Sequence, residues 1–166
     1  MLPLTFPSRG IRYVLALGIF LAALNMRAPV IAVPPLLDTI RVDTGLSSSV
    51  AGLIITLPMV CFALFSLGAP QLARRAGLDW AVIGAMVLVA VGSLLRTASP
   101  VAALFTGTVV IGAGIAIGNV LVPALIKRDF PHSTGVMMAV YGLGMSIGGT
   151  LAAALVVPVQ DWFGFG

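Results

Sequence analysis

Few side chains in this chain are equipped for chemistry, and one of them lies where a charge is unfavourable. The run from Phe20 to Leu37, FLAALNMRAPVIAVPPLL, is apolar apart from Asn25 and Arg27. At the centre of a membrane helix an Arg costs about 2.5 to 3.5 kcal/mol, while each Leu, Ile, Phe or Val offsets only about 0.3 to 0.6. A guanidinium offers five donors and a permanent charge, which suits a small oxygen- or nitrogen-rich anion or a strongly dipolar solute. If the helix enters the hydrocarbon near Tyr13, Arg27 lies about 21 Å further on, beyond the middle of a core of about 30 Å. Two roles are open for it. It binds a solute in a water-filled cavity, or it leans outward or pairs with Asp38 and orders the helix end.

The other polar residues add candidates rather than a reaction centre. Asn25 is turned about 200° around the helix from Arg27, so it faces elsewhere and suits a bond to a neighbouring helix. Asn119 and Pro123, four apart, share one face of a later helix; Asn119 is a second cavity contact or an interhelical hydrogen bond. Tyr141 lines the cavity or packs. The candidate substrate-binding residues are therefore Arg27, Asn25, Asn119 and Tyr141. There are five Asp, no Glu, one His and one Cys, and no cluster of them falls inside an apolar run. An enzyme, a metal site and a cofactor are not expected. Cys61 has no intrachain partner, and His132 sits beside Pro131 in a polar connector, where it is solvated.

The elements that must carry these residues are set by composition. With 60% hydrophobic residues, 8% charged and a mean hydropathy of +1.15, the chain holds more apolar surface than one water-soluble core could hide. It reads as an all-α integral membrane protein. Five apolar runs are long enough for spans: 13–36, 49–69, 80–97, 101–126 and 135–157. Short connectors with turn chemistry separate them; Ser47 and Ser48 are candidate caps of the second helix, and Ser99 before Pro100 suits the start of the fourth. Arg96, near the end of the third span, is expected to snorkel to the headgroups. The pI of about 10.2 does not imply nucleic acid, because the basic residues come in pairs between apolar runs rather than on one wet face.

Those pairs predict orientation. Arg9, Arg12, Arg74, Arg75, Lys127 and Arg128 fall on one side, Arg41 and Arg96 on the other, which places the N-terminus in the cytoplasm and the C-terminus of this chain outside. The first span lacks a small-x-small cleavage site and leads into further apolar sequence, so it is expected to remain as an uncleaved helix.

Glycine and proline mark the packing. Gly114 with Gly118, and Gly144 with Gly148, are four apart, a spacing that lets helix backbones approach closely in lipid and leaves them able to rock. Pro29, Pro34, Pro35, Pro58 and Pro123 fall inside the spans, where each removes a helix hydrogen bond and is tolerated beside protein or a watery cavity. Bent helices beside a cavity suit a transporter.

The order NMRAPVIAVPPLLDTIRVDTGLSSSVAGLIITLPM, then APQLARRAGL, then GAGIAIGNVLVPALIKRDFP resembles the cyanate and 2-nitroimidazole permease family of the major facilitator superfamily. The resemblance covers about Leu24 to Val157 and is most specific in GNVLVPALIKRDFP. It implies a secondary transporter of twelve helices in two six-helix halves, working by alternating access on a small, polar or anionic solute bound between the halves. The candidate coupling ion is the proton, and the location is the plasma membrane, in a bacterium the inner one. Five spans then correspond to an N-terminal half lacking its sixth helix and the C-terminal half. The alternative is a non-transporting structural or accessory membrane protein, or an inactive fragment.

The superfamily's loop motif Gly-x-Leu-Ala-Asp-Arg-x-Gly falls on Pro70 to Gly77, where Arg75 and Gly77 match and Arg74 replaces the Asp. The acidic member of the inward latch is thus missing from this cytoplasmic loop. The family's Arg before the glycine run of the fourth helix falls at Thr108, which leaves Arg27 as the expected intramembrane charge. In the fifth helix Met145 stands where the antiporter element has Pro.

Overall fold

The computed structural model describes residues 9–32, 34, 45, 47–97 and 101–163. Among them are five α-helices and no strand: α1 (Arg9–Ile31), α2 (Ser48–Ala76), α3 (Leu78–Arg96), α4 (Val101–Asp129) and α5 (Thr134–Phe163). All five are long and apolar enough to cross a membrane. Leu, Ala, Met and Val fill them, and in lipid a helix is the one open-chain element that satisfies every backbone group internally.

The five expected elements are present, and their ends differ from the apolar runs in instructive ways. α2 does not stop near Ala69 but continues to Ala76, so Arg74 and Arg75 form the last turn of a helix rather than a loop. The negative end of the helix dipole favours cations there. The connector to α3 shrinks to Gly77, whose φ of 89° is open to glycine and strained for other residues, and whose N–H donates to the Ala73 carbonyl at 3.0 Å. At the start of α2 the Ser47 hydroxyl accepts from the Val50 N–H at 3.4 Å, so the cap is Ser47. Val33, Pro35 and Leu36 of the expected first span, and Ser99 and Pro100, lie outside the described residues.

α4 sits at the centre, with 56% of its most apolar stretch buried against 17% for α1 and α2. It packs on α3 and α2, while α1 packs chiefly on α5. A core cluster joins the two groups through Met26 of α1, Val89 of α3, Ile111 and Ile126 of α4, and Tyr141 of α5. Glycines set the closest approaches. A Cβ at Gly114 would lie 2.7 Å from the Ala85 carbonyl oxygen, and one at Gly144 2.8 Å from that of Phe20; Gly148 faces the Leu24 carbonyl more closely still. Gly118 instead faces the Met26 and Met86 methyls.

Large apolar side chains cover the outside: Leu67 is 81% exposed, Tyr13 76% and Met59 74%. Such a surface belongs against hydrocarbon. One end of the bundle collects charge. Arg128 at the end of α4 holds Asp79 at the start of α3 through two hydrogen bonds of 2.8 and 2.6 Å, and also bonds Asp129 at 2.6 Å. The Arg12 guanidinium lies 5.8 Å from the Phe130 ring centre.

Candidate functional site

Two openings carry the two arginines of interest. The first is a groove of about 650 Å³ between α1 and α5, lined by Arg27, Ile31, Gly142, Met145, Ser146, Gly149, Thr150 and Ala153. α5 can lie close to α1 because Gly144 and Gly148 present bare backbone to Phe20 and Leu24. The next residue, Gly149, leaves room for the arginine itself: a Cβ there would stand 3.2 Å from Arg27 Cγ and 2.6 Å from Ile31 Cδ1. Arg27 is exposed in this groove.

Two hydroxyls complement the guanidinium. Ser146 Oγ donates to the Gly142 carbonyl at 3.0 Å, and Thr150 Oγ1 donates to the Ser146 carbonyl at 2.9 Å. With their protons directed at the backbone, both oxygens keep lone pairs for an incoming donor. The groove therefore offers charged donors on α1 and neutral acceptors on α5. Ser146, Gly149 and Thr150 were not among the residues expected from sequence, although Gly142, Ser146, Gly149, Thr150 and Ala153 follow the spacing of one helix face.

The other expected binding residues are not gathered around this groove. Asn25 is exposed on α1 and lines neither opening. Tyr141, buried, donates from its hydroxyl to Asn119 Oδ1 at 2.8 Å, the interhelical bond that was one of the two roles open for Asn119. Asp38, the alternative partner of Arg27, lies outside the described residues.

The second opening, about 430 Å³, lies where α1 ends. Pro29, Val30, Ile31, Pro34, Ile54, Ile55, Pro58, Met59, Arg96, Thr108, Ile111 and Ala153 line it. Arg96 does not snorkel outward. Its Nη1 donates to the Pro29 carbonyl at 3.1 Å, and Gly107 of α4 makes way for its stem, since a Cβ there would be 2.8 Å from Arg96 Cγ. The reason is local: the last carbonyls of α1 lack intrahelical donors, and a cation at that end meets both the hydrogen-bonding and the dipole demand. Arg27 is thus not alone as a guanidinium within the bundle. Thr108, where the family resemblance called for an arginine, is fully buried and donates to the Leu104 carbonyl at 2.7 Å. Pro29 and Pro58 face this second opening, and Pro123 lies inside α4.

Residues 15–165 match the profile of the Major Facilitator Superfamily. The chain belongs to this superfamily. It is a multi-pass membrane protein of that fold, and its relatives are transporters by name. It is 44% identical over 148 residues to the 2-nitroimidazole transporter of Escherichia coli (strain K12), covering 89% of this chain and 38% of that protein. It is 34% identical over 152 residues to the cyanate transport protein CynX of the same organism, covering 89% and 40%. The uncharacterized transporter YycB of Bacillus subtilis (strain 168) is 39% identical over 142 residues, with 86% and 35% covered. The chain thus spans 35–40% of the length of these relatives. No solved structure matches it.

Proposed function

We propose that the chain forms part of a secondary active transporter that moves small polar or anionic solutes across the plasma membrane by alternating access, with Arg27 as the group that binds the solute. The observation that carries this reading is the seating of Arg27. A charged side chain lines a groove between two spanning helices, with its stem accommodated by Gly149 and with Ser146 and Thr150 opposite. In the low dielectric of a membrane protein, a permanent cation holds an anion far more strongly than in water, and its forked donors fix the anion's orientation. The hydroxyl oxygens accept from any N–H the solute carries. Asn119 and Tyr141 then serve the groove indirectly, by fixing α5 to α4.

The names of the relatives supply the solutes to try first, 2-nitroimidazole and cyanate. The helices rock as rigid pairs along their glycine seams, with α1 and α5 carrying Arg27 between the two sides. The described lining of the groove holds no carboxylate and no imidazole, so a proton, as the coupling ion of this reading, is carried by groups outside it. The ends that gather Arg12, Arg74, Arg75 and Arg128 face the cytoplasm on this reading.

The test is uptake into proteoliposomes by the protein as its gene encodes it, with each solute, with and without a proton gradient. Saturable uptake that is lost in Arg27→Ala supports the proposal. The alternative outcome is a non-transporting accessory protein of the membrane. Absence of saturable flux at full incorporation into the vesicles would select it.

A further inference from the structure

We infer that Arg96 is a positioning residue for Arg27: by holding the Pro29 carbonyl it fixes the last turn of α1, and with it the guanidinium that lines the groove. That turn is the weak point of its helix. Pro29 has no N–H, so the Asn25 carbonyl four residues back loses its helix donor, and Arg27 lies inside the turn so loosened. A loosened turn orients its side chains only if something outside the helix holds it. On one side Gly149 of α5 gives the Arg27 stem its seat. On the other, Arg96 Nη1 donates to the Pro29 carbonyl at 3.1 Å, about 3 Å of helix beyond Arg27. Among the described residues this is the one hydrogen bond that joins α1 to another helix.

The holder itself stands on a rigid base. Arg96 comes one turn after Gly92, where α3 and α4 meet backbone to backbone: a Cβ at Gly92 would lie 2.8 Å from the Gly107 carbonyl oxygen, and one at Gly107 2.7 Å from that of Gly92. The Arg96 stem passes over Gly107 at the same crossing. A guanidinium suits the task because it reaches far, stays charged and meets the negative pole at the C-terminal end of α1. Pro29 lines the second opening and not the groove, so the bond competes with no solute held by Arg27. Since α1 packs chiefly on α5, Arg96 adds the polar restraint that registers the Arg27 turn against α3 and α4. The positioning role rests on the reading of Arg27 as the solute-binding group; the restraint on the turn does not.

The experiment reads the turn directly, in the gene-encoded protein purified in detergent with Cys61→Ala. Ala28→Cys lies in the restrained turn and Ala22→Cys well before it; both positions are half-buried, so their rates of labelling by N-ethylmaleimide report local opening. Arg96→Met keeps a stem over Gly107 and removes the donor, whereas Arg96→Lys keeps donor and charge. Ala28→Cys is expected to label severalfold faster in Arg96→Met and at close to the original rate in Arg96→Lys, with Ala22→Cys unmoved in both. Affinity for 2-nitroimidazole or cyanate, whichever the protein binds, should fall severalfold in Arg96→Met and recover in Arg96→Lys. An unchanged Ala28→Cys rate in Arg96→Met overturns the inference. So does faster labelling at both positions, which marks general loosening, or in both Arg96 variants alike, which marks packing of the stem. Affinity lost in Arg27→Ala but unchanged in Arg96→Met also overturns it and leaves the Arg27 reading standing. Unchanged affinity in Arg27→Ala overturns that reading and the positioning role with it, and the labelling rates then decide the restraint alone.

Discussion

An arginine among apolar helices needs room for its stem as well as a partner for its head, and Arg27 and Arg96 each find that room at a glycine of a neighbouring helix. Gly149→Ala is accordingly expected to push Arg27 and Ile31 by a few tenths of an ångström, lowering solute affinity severalfold while the melting temperature barely moves; unchanged affinity would break the link between Gly149 and Arg27. The Tyr141 hydroxyl makes a different kind of contribution. Tyr141→Phe leaves Asn119 Oδ1 without its donor, at a cost of about 1–3 kcal/mol, so the melting temperature should fall while uptake by the folded fraction persists. Lost uptake at an unchanged melting temperature would instead make the pair a solute contact. The polar groups themselves were legible in the sequence, but their pairings were not. Tyr141 meets Asn119 across 22 positions and Arg96 meets Pro29 across 67, and such pairings depend on the rotation of whole helices, which no local pattern records.

At the scale of the elements, the five spans could be read from hydropathy because each apolar run must cross about 30 Å of hydrocarbon. Their ends could not, since a helix does not stop where the hydrocarbon does: the charged turn of Arg74 and Arg75 continues α2 until Gly77 breaks it. Gly77→Ala places a side chain at a φ of 89°, and the resulting strain of about 1–3 kcal/mol should appear as a lower unfolding midpoint in detergent. Glycine spacing pointed to close helix contacts without saying which would be rigid. Gly148→Ala and Gly114→Ala set a methyl against backbone carbonyls of Leu24 and Ala85, whereas Gly118→Ala meets only the flexible ends of Met26 and Met86. The first two should each lose about 1–3 kcal/mol, and the third clearly less. Equal losses in all three, read by thermal unfolding at matched lipid content, would show that the seams are softer than this packing requires.

For the whole molecule, the ion pair of Asp79 with Arg128 and the contact of Arg12 with Phe130 bring the start of α1, the start of α3 and the end of α4 to one end of the bundle. An exposed pair of this kind adds little stability, but the excess of basic residues at that end is the ground for the proposed orientation, with this end in the cytoplasm. In a Cys61→Ala background, Ala76→Cys and Ser133→Cys should resist an impermeant thiol reagent in intact cells while Thr97→Cys reacts; the opposite pattern would invert the proposed orientation. The superfamily was legible because its motifs survive as ordered residue types in GNVLVPALIKRDFP, whereas the groove was not, because Ser146 and Thr150 gain meaning only once α5 lies against α1. Arg27 is the residue on which the proposed solute site depends. Affinity for 2-nitroimidazole or cyanate, whichever the protein takes up, should be measured for wild type, Arg27→Ala, Arg27→Lys and Asp38→Asn at matched expression. A solute-binding Arg27 predicts loss in Arg27→Ala, partial recovery in Arg27→Lys, where charge remains but the fork is gone, and near-normal affinity in Asp38→Asn. Unchanged affinity in Arg27→Ala would contradict it.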